Sequence, residues 1–213
     1  LPQFLFVVKG YDTAFTEKTS NDPTAMQAWG VFEHKGKRHA MLLDCWADRM
    51  KYPELRERVI DEWAATYGKT DHTAMTKAKK ADIVLIENKG SGQALINDLY
   101  SANVFVSSYD LPRGQRAELS KVSRVHLITH IIDAGRVWLL ESSKQPGKPV
   151  TWARNYVAEC AVFPKGEHDD QVDVTSMTLY YLKDHGWFDL AAAPDDEVEE
   201  ADYTKKVTNP YAA

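Results

Sequence analysis

The order of the apolar segments along this chain is the feature that most restricts its fold. Three strand-like segments come first, at residues 3–8, 25–33 and 38–46, and a turn-like stretch at 34–37 joins the last two. Consecutive strands with short links favour an antiparallel meander. Helical and strand-like segments then alternate. The order β-β-β-α-β-α-β-α, closed by further helices, predicts an α/β fold: a mixed sheet, antiparallel and then parallel, flanked by helices.

Two of the later segments are especially regular. Residues 52–67 repeat apolar side chains every four residues, as an amphipathic helix does. Residues 83–86 are β-branched and continuously apolar, which predicts a central strand covered on both faces. Further helices are expected at 93–99, 119–132, 151–163 and 169–183, and further strands at 104–106 and 136–140.

Length and charge distribution predict one domain with a tail. The chain has 213 residues, enough for a single well-buried core, and no apolar stretch approaches a membrane span. We expect a domain at 1–190 and an acidic, disordered tail at 191–213, where Ala, Pro, Asp and Glu dominate. The seven acidic residues and two lysines beyond residue 188 carry the whole net charge of −5. The body is therefore formally neutral, and its charge excludes no partner, nucleic acid included.

The two cysteines, Cys45 and Cys160, lie in apolar surroundings and have no histidine at metal-ligand spacing. This arrangement predicts two buried thiols in a reducing cytoplasm, and neither a disulfide nor a zinc site.

The most unusual local motif runs from His168 to Asp173 and holds three carboxylates and an imidazole within six residues. In a helix that begins near Asp169, Asp170 and Asp173 share one face. Like charges on one face destabilise a helix unless something offsets them, and a divalent cation would do so. The alternative is an acidic helix N-terminus, where carboxylates favour the positive end of the helix dipole. The motif alone does not decide between the two.

Two other acidic residues stand at the ends of predicted strands. Asp12 follows the first strand, and Glu87 follows the strand at 83–86. In mixed α/β sheets, sites form where strand ends meet helix N-termini. Carboxylates from distant segments supply the oxygen ligands that Mg²⁺ or Mn²⁺ requires. Together with the acidic motif at 168–173, they favour a metal site.

At these positions the chain resembles the nuclease domain of bacteriophage large terminase subunits. The resemblance covers roughly residues 5–185, and its motifs occur in the family's order. They are Gly10-Tyr11-Asp12-Thr13-Ala14, Pro53-Glu54-Leu55, Ile86-Glu87-Asn88-Lys89-Gly90-Ser91-Gly92, Lys121-Val122-Ser123-Arg124, and Phe163-Pro164-Lys165-Gly166-Glu167-His168-Asp169-Asp170-Gln171-Val172-Asp173.

The resemblance implies a ribonuclease H-like fold and a metal-dependent endonuclease that cuts double-stranded DNA during genome packaging, with two Mg²⁺ or Mn²⁺ ions. It implies catalytic and metal-binding roles for the carboxylates Asp12, Glu87, Asp170 and Asp173. Lys121 is expected to meet a phosphate or the charge that develops in the transition state, the alternative being a solvated helix lysine. The DNA backbone is expected to be followed by Arg124, Arg113 and Arg116, each of which taken alone could equally be a surface residue. Asp169 and His168 are expected beside the ligands, in supporting positions.

The resemblance also predicts partners and setting. They are double-stranded DNA, a packaging ATPase domain, the portal and the small terminase subunit, in the host cytoplasm and without a membrane. Gly68-Lys69-Thr70 mimics the end of a phosphate-binding loop, but the required first glycine falls at Trp63, so no ATP site is expected in this chain.

Two alternatives remain open. The chain could be another ribonuclease H-like nuclease, such as a junction resolvase, which would use the same carboxylates on a different DNA geometry. It could also be a non-catalytic module that docks the packaging motor on the portal.

Overall fold

The structure is a computed structural model that describes residues 1–13, 23–68, 78–89, 91–110 and 119–189. Within these ranges the helices are α1 Tyr52–Trp63, α2 Ser91–Ser101, α3 Lys121–Asp133, α4 Ala153–Val162 and α5 Asp170–Asp184. The strands of the same ranges are β1 Phe6–Asp12, β2 Thr24–His34, β3 Lys37–Asp48, β4 Thr66–Tyr67, β5 Lys79–Lys80, β6 Ile83–Glu87, β7 Val106–Tyr109, β8 Val137–Leu139, β9 Glu141–Ser142 and β10 Gln145–Pro149. The predicted tail and the residues Arg113 and Arg116 lie outside the described part, so the domain boundary at 190 stays a prediction.

Six strands form one sheet in the order β7-β6-β1-β2-β3-β8. The pairs β1–β2 and β2–β3 are antiparallel, whereas β1–β6, β6–β7 and β3–β8 are parallel. The predicted mixed sheet, antiparallel first and parallel later, is confirmed. Two small two-stranded sheets, β4–β5 and β9–β10, were not predicted.

The register brings two of the predicted site residues to one edge. Strands β1 and β6 run parallel, and Tyr11 lies opposite Ile86. The next residue on each strand is a carboxylate, Asp12 on β1 and Glu87 on β6. Both therefore lie at the carboxyl edge of the sheet.

Helices bury both faces of the sheet. One core cluster combines sheet residues such as Val8 and Trp29 with apolar side chains from α3, α4 and α5. The other combines Val7 and Tyr11 with side chains from α1 and α2. Alternate residues of β1 thus enter opposite cores, as the two-residue period of a strand requires.

Gly10 allows α5 to pack directly on β1. A Cβ at this position would overlap Thr178 Oγ1 and would lie 3.1 Å from Val174 Cγ1 and 3.3 Å from Met177 Cε. The absence of a side chain at Gly10 is therefore what lets the helix that carries Asp170 approach the strand that carries Asp12.

Most element boundaries differ from the predictions by one to three residues, and three differences have a clear consequence for the fold. The first strand extends to Asp12 because Lys9 is buried, with its Nζ donating to the Glu62 carbonyl at 2.5 Å. Helix α1 ends at Trp63, and Tyr67, although in the helical apolar repeat, pairs with Lys79 in the β4–β5 ladder. The strand predicted at 104–106 begins only at Val106 and continues to Tyr109.

Cys45 is buried as predicted, but Cys160 is exposed, so its predicted burial is wrong. Both thiols are free. Within the described residues, no helix has the length and apolar character needed to cross a membrane.

Candidate active site

Four carboxylates from three elements act on one another at the carboxyl edge of the sheet. The pKa of Asp12 is raised to about 7, first by burial and then by the negative charges of Glu87, Asp173 and Asp170, while Lys121 opposes the shift. Asp12 comes from β1, Glu87 from β6 and the other two from α5. The structure thus brings together the three segments that the sequence analysis connected.

Glu87 has a buried oxygen that accepts no hydrogen bond from any described residue. This atom, Oε1, lies 3.2 Å from the ammonium of Lys89. The turn behind it is tight, because a Cβ on Gly92 would overlap the carbonyl oxygen of Glu87. A buried carboxylate oxygen that lacks a hydrogen bond lowers the stability of the fold, and a bound cation would offset that loss.

Asp170 is the first residue of α5. Burial raises its pKa, and the neighbouring carboxylate of Asp169 raises it further. His168, an exposed side chain, lies with its Nδ1 3.9 Å from Asp170 Oδ2.

Asp173 lies one turn further along α5 and is paired with two cations. Its Oδ2 lies 2.8 Å from Lys121 Nζ, and its Oδ1 accepts a hydrogen bond of 3.0 Å from the Arg124 guanidinium. The side chains of Asp173 and Arg124 are only 10% and 11% exposed, so this is an interior ion pair. The side chain of Arg124, a predicted DNA contact, therefore points into the protein, where its charge stabilises the buried carboxylate of Asp173.

Lys121 joins Asp173 to Asp169. Its ammonium donates to Asp169 Oδ1 at 2.6 Å and lies at the rim of the site, with the side chain 47% exposed. Burial alone would lower the pKa of Lys121, but the bonds to Asp169 and Asp173 outweigh it and raise the pKa. Lys121 is thus a charged ammonium held between two carboxylates.

The donor set suits a hard divalent cation, although the side chains do not form a closed ligand shell. Among the described residues, no group of three or more His, Cys, Asp and Glu side chains is arranged to hold one ion. The ammonium groups of Lys121 and Lys89 lie against Asp173 and Glu87 instead. All the acceptors are carboxylate oxygens, and one of them, Glu87 Oε1, is buried without a hydrogen bond from the described part of the chain, so the residues fit Mg²⁺ or Mn²⁺ chemically.

Two polar residues that the sequence analysis missed hold the first turn of α5. Glu159 on α4 accepts the backbone N–H groups of Gln171 and Val172. Gln27 on β2 is fully buried and bonds to Gln171. The only signal available in the sequence was the position of a polar Gln27 within an otherwise apolar strand.

Comparison with known proteins gives a family match over most of the chain. Residues 9–182 match the model of the terminase RNaseH-like domain. No curated protein matches the chain in sequence.

Solved structures with a similar fold include viral nucleases and a resolvase. The nuclease domain of the P22 large terminase has a TM-score of 0.53 and 14% identity, and the alignment covers 87% of this chain and 84% of that domain. The human cytomegalovirus terminase nuclease domain has a TM-score of 0.49 and 13% identity, covering 83% and 82%. The fowlpox virus resolvase, solved with Holliday junction DNA, has a TM-score of 0.45 and 10% identity, covering 83% and 99%. The likeness to the P22 domain confirms the predicted ribonuclease H-like sheet.

Proposed function

The chain belongs to the terminase RNaseH-like domain family, and on that premise we propose that it is a metal-dependent endonuclease domain that cuts double-stranded DNA. Asp12, Glu87 and Asp170 would hold the metal. The proposed reaction is hydrolysis of a phosphodiester bond, in the context of phage genome packaging.

One observation carries the proposal: four carboxylates lie close together at the carboxyl edge of the sheet, where their mutual repulsion destabilises the fold. The pKa of Asp12 is raised to about 7, first by burial and then by the negative charges of three other carboxylates. A carboxyl at a strand end needs no such neighbours for folding, and each of them disfavours its ionised form. A divalent cation would have the opposite effect, because its charge favours the ionised form of every carboxylate around it.

The site carboxylates would have different roles in metal binding. Asp12, at the end of β1, would hold the metal together with Glu87, at the end of the adjacent strand β6, and Asp170, at the start of α5. Mg²⁺ or Mn²⁺, bound as a pair, would activate water and stabilise charge on the scissile phosphate. Asp173 would share an ion only after Lys121 moves away from its Oδ2; otherwise it positions Lys121.

Among the predicted DNA contacts, Lys121 has the strongest support. Its half-exposed ammonium lies beside the carboxylates, where a phosphate would enter. Arg124 has the weakest support, since its guanidinium is buried against Asp173. Arg113 and Arg116 remain predicted contacts to the DNA backbone. Asp169 and His168 would act as neighbours of the ligands, Asp169 by holding Lys121.

The same family membership motivates the proposed partners. A packaging ATPase domain would drive the DNA, and the portal and the small terminase subunit would complete the machine in the host cytoplasm. These assignments rest on the family and on no contact in the described residues.

A plasmid assay tests the proposal. The wild-type chain is incubated with supercoiled plasmid in Mn²⁺, in Mg²⁺ and in EDTA, beside Asp12→Ala and Asp170→Ala. The matched control is Asp48→Ala, which removes another strand-end carboxylate at the same edge, one that is exposed and pairs with Arg58 at 3.6 Å. We expect nicking and linearisation that require metal, that both site variants lose and that Asp48→Ala keeps.

Other outcomes point elsewhere. Equal cutting by the site variants and the wild type would overturn the site assignment. A strong preference for four-way junctions over plain duplex would favour a resolvase. No cleavage in any metal, together with tight binding to a purified portal, would favour a docking module.

A further inference from the structure

We propose that Gln27 and Glu159 are positioning residues that hold the first turn of α5, and with it Asp170, in register with Asp12. This inference rests on the proposed metal-binding role of Asp170. Neither residue is expected to touch the metal or DNA.

Glu159 holds the turn from the side of α4. Its Oε1 accepts the N–H of Gln171 at 2.6 Å and the N–H of Val172 at 3.2 Å. These are two of the N–H groups that the first turn of a helix leaves without a partner. The residue before the helix, Asp169, makes no side-chain cap hydrogen bond, and its Oδ1 binds Lys121 instead. Glu159 thus supplies, from another helix, the cap that a local residue usually provides.

Gln27 holds the same turn from the sheet. Its Nε2 donates to the Gln171 carbonyl at 2.7 Å and to Gln171 Oε1 at 2.9 Å. Its Oε1 accepts from Trp29 Nε1 at 2.9 Å and from Thr175 Oγ1 at 3.0 Å. Both amide protons are used, and Trp29 can only donate to the oxygen, so the orientation of the amide is determined.

The register of the sheet connects this amide to the site. Gln27 is the direct partner of Gly10 in the β1–β2 ladder, at the point where α5 contacts β1. Asp12 lies two residues further along β1. The strand pair that carries Asp12 therefore also carries the side chain that holds the residue next to Asp170. Gln27 sets the distance between the two carboxylates through one hydrogen-bonded turn.

Such a device is needed because the turn is electrostatically unfavourable. The charge of Asp169 acts on Asp170, the charge of Asp170 acts on Asp12, and repulsion between Asp12 and Asp170 would push the helix end away from the sheet. Two hydrogen bonds to the backbone of Gln171, one from the sheet and one from α4, oppose that movement without occupying a carboxylate oxygen of Asp170.

The test measures Mn²⁺ affinity by isothermal titration of the full chain with Mn²⁺ alone, beside urea unfolding. Gln27→Glu keeps the shape and can still accept from Trp29 and Thr175, but it can no longer donate to Gln171. We expect its Mn²⁺ affinity to fall about 10- to 100-fold, as for other residues that orient metal ligands. The matched control, Thr175→Val, removes a hydroxyl that lies 3.0 Å from Gln27 Oε1 and 2.9 Å from the Gln171 carbonyl oxygen within α5, and it leaves both bonds from Gln27 to Gln171 intact. Its affinity should change less than about threefold.

Glu159 supplies a second, independent comparison that does not depend on a buried substitution. Glu159→Ala removes the acceptor and should weaken Mn²⁺ binding about tenfold, whereas Glu159→Gln retains an oxygen for both N–H groups and should restore most of it. Faster hydrogen exchange at the amides of Gln171 and Val172 in the alanine variant should accompany the loss.

The outcomes separate the inference from the proposed function. If the wild type binds Mn²⁺ and both Gln27→Glu and Glu159→Ala bind it equally well, the positioning role is overturned and the metal site stands. If Thr175→Val loses as much Mn²⁺ affinity as Gln27→Glu, and Glu159→Gln as much as Glu159→Ala, general destabilisation explains the loss and the inference is also overturned. If the wild type binds no Mn²⁺, the proposed function and the inference both fall.

Discussion

The substitution Asp12→Asn tests the electrostatic cost of gathering four carboxylates at one sheet edge. The pKa of Asp12 is raised from 3.8 to about 7, first by burial and then by Glu87, Asp173 and Asp170. Because the folded pKa lies above the unfolded one, the stabilising contribution of this group is complete below pH 3.8 and is lost as the pH rises through 7. At higher pH the ionised carboxylate destabilises the metal-free fold by about 4 kcal/mol, at about 1.4 kcal/mol per pKa unit.

Asparagine has nearly the same shape as aspartate and carries no charge. In EDTA, Asp12→Asn should therefore raise the free energy of unfolding by about 4 kcal/mol at pH 8 and by only about 0.6 kcal/mol at pH 4. The measurement is equilibrium unfolding in urea at a series of pH values, followed by the fluorescence of the chain's tryptophans.

Added Mn²⁺ is the internal control for this prediction. The ion should stabilise the wild type at pH 8 and should have little effect on Asp12→Asn. The difference in unfolding free energy between the two proteins should therefore become smaller or change sign. A variant that is less stable than the wild type at pH 8 in EDTA, or a difference that is the same at both pH values, would refute the electrostatic reasoning.

Three further substitutions test the packing and charges around the site. Gly10→Ala should lower the free energy of unfolding by about 1–3 kcal/mol in urea, because the new methyl overlaps Thr178 Oγ1, and adding Thr178→Ala should recover part of that loss; no loss would contradict the close packing of α5 on β1. Lys121→Met should raise Mn²⁺ affinity up to about fivefold, since it removes a half-exposed ammonium from Asp173, while plasmid cleavage falls about tenfold or more; unchanged cleavage would remove Lys121 from the catalytic residues. Arg124→Leu should cost about 3 kcal/mol in unfolding free energy, because Asp173 loses its interior partner, and a variant of wild-type stability would show that the guanidinium is dispensable there.

The strand-end carboxylates could be predicted from the sequence because their neighbours are so regular. The apolar run at 83–86 ends at Glu87, and the parallel pairing of β1 with β6 then places Asp12 beside it. The fold class could be predicted from the order of such segments, and that order is correct even where individual boundaries are not. Lys9 is one such error: a lysine interrupts the apolar run, yet it is buried because its ammonium donates a hydrogen bond to the Glu62 carbonyl.

The interactions that hold the site could not be predicted, because they join residues far apart in the chain. Arg124 meets Asp173 across 49 positions, and Gln27 meets Gln171 across 144. Each of these side chains is an ordinary surface type when read locally. Glu159 is missed for another reason, since it binds backbone N–H groups, which leave no trace in the amino-acid pattern.

The most direct test of the proposed metal centre is anomalous diffraction from crystals of the chain soaked in Mn²⁺. Anomalous peaks are expected within about 2.5 Å of carboxylate oxygens of Asp12, Glu87 and Asp170, with the ammonium of Lys121 displaced from any carboxylate that binds the ion. Peaks found only away from these three residues, or no peak while the chain still cuts DNA, would contradict a metal centre built on them.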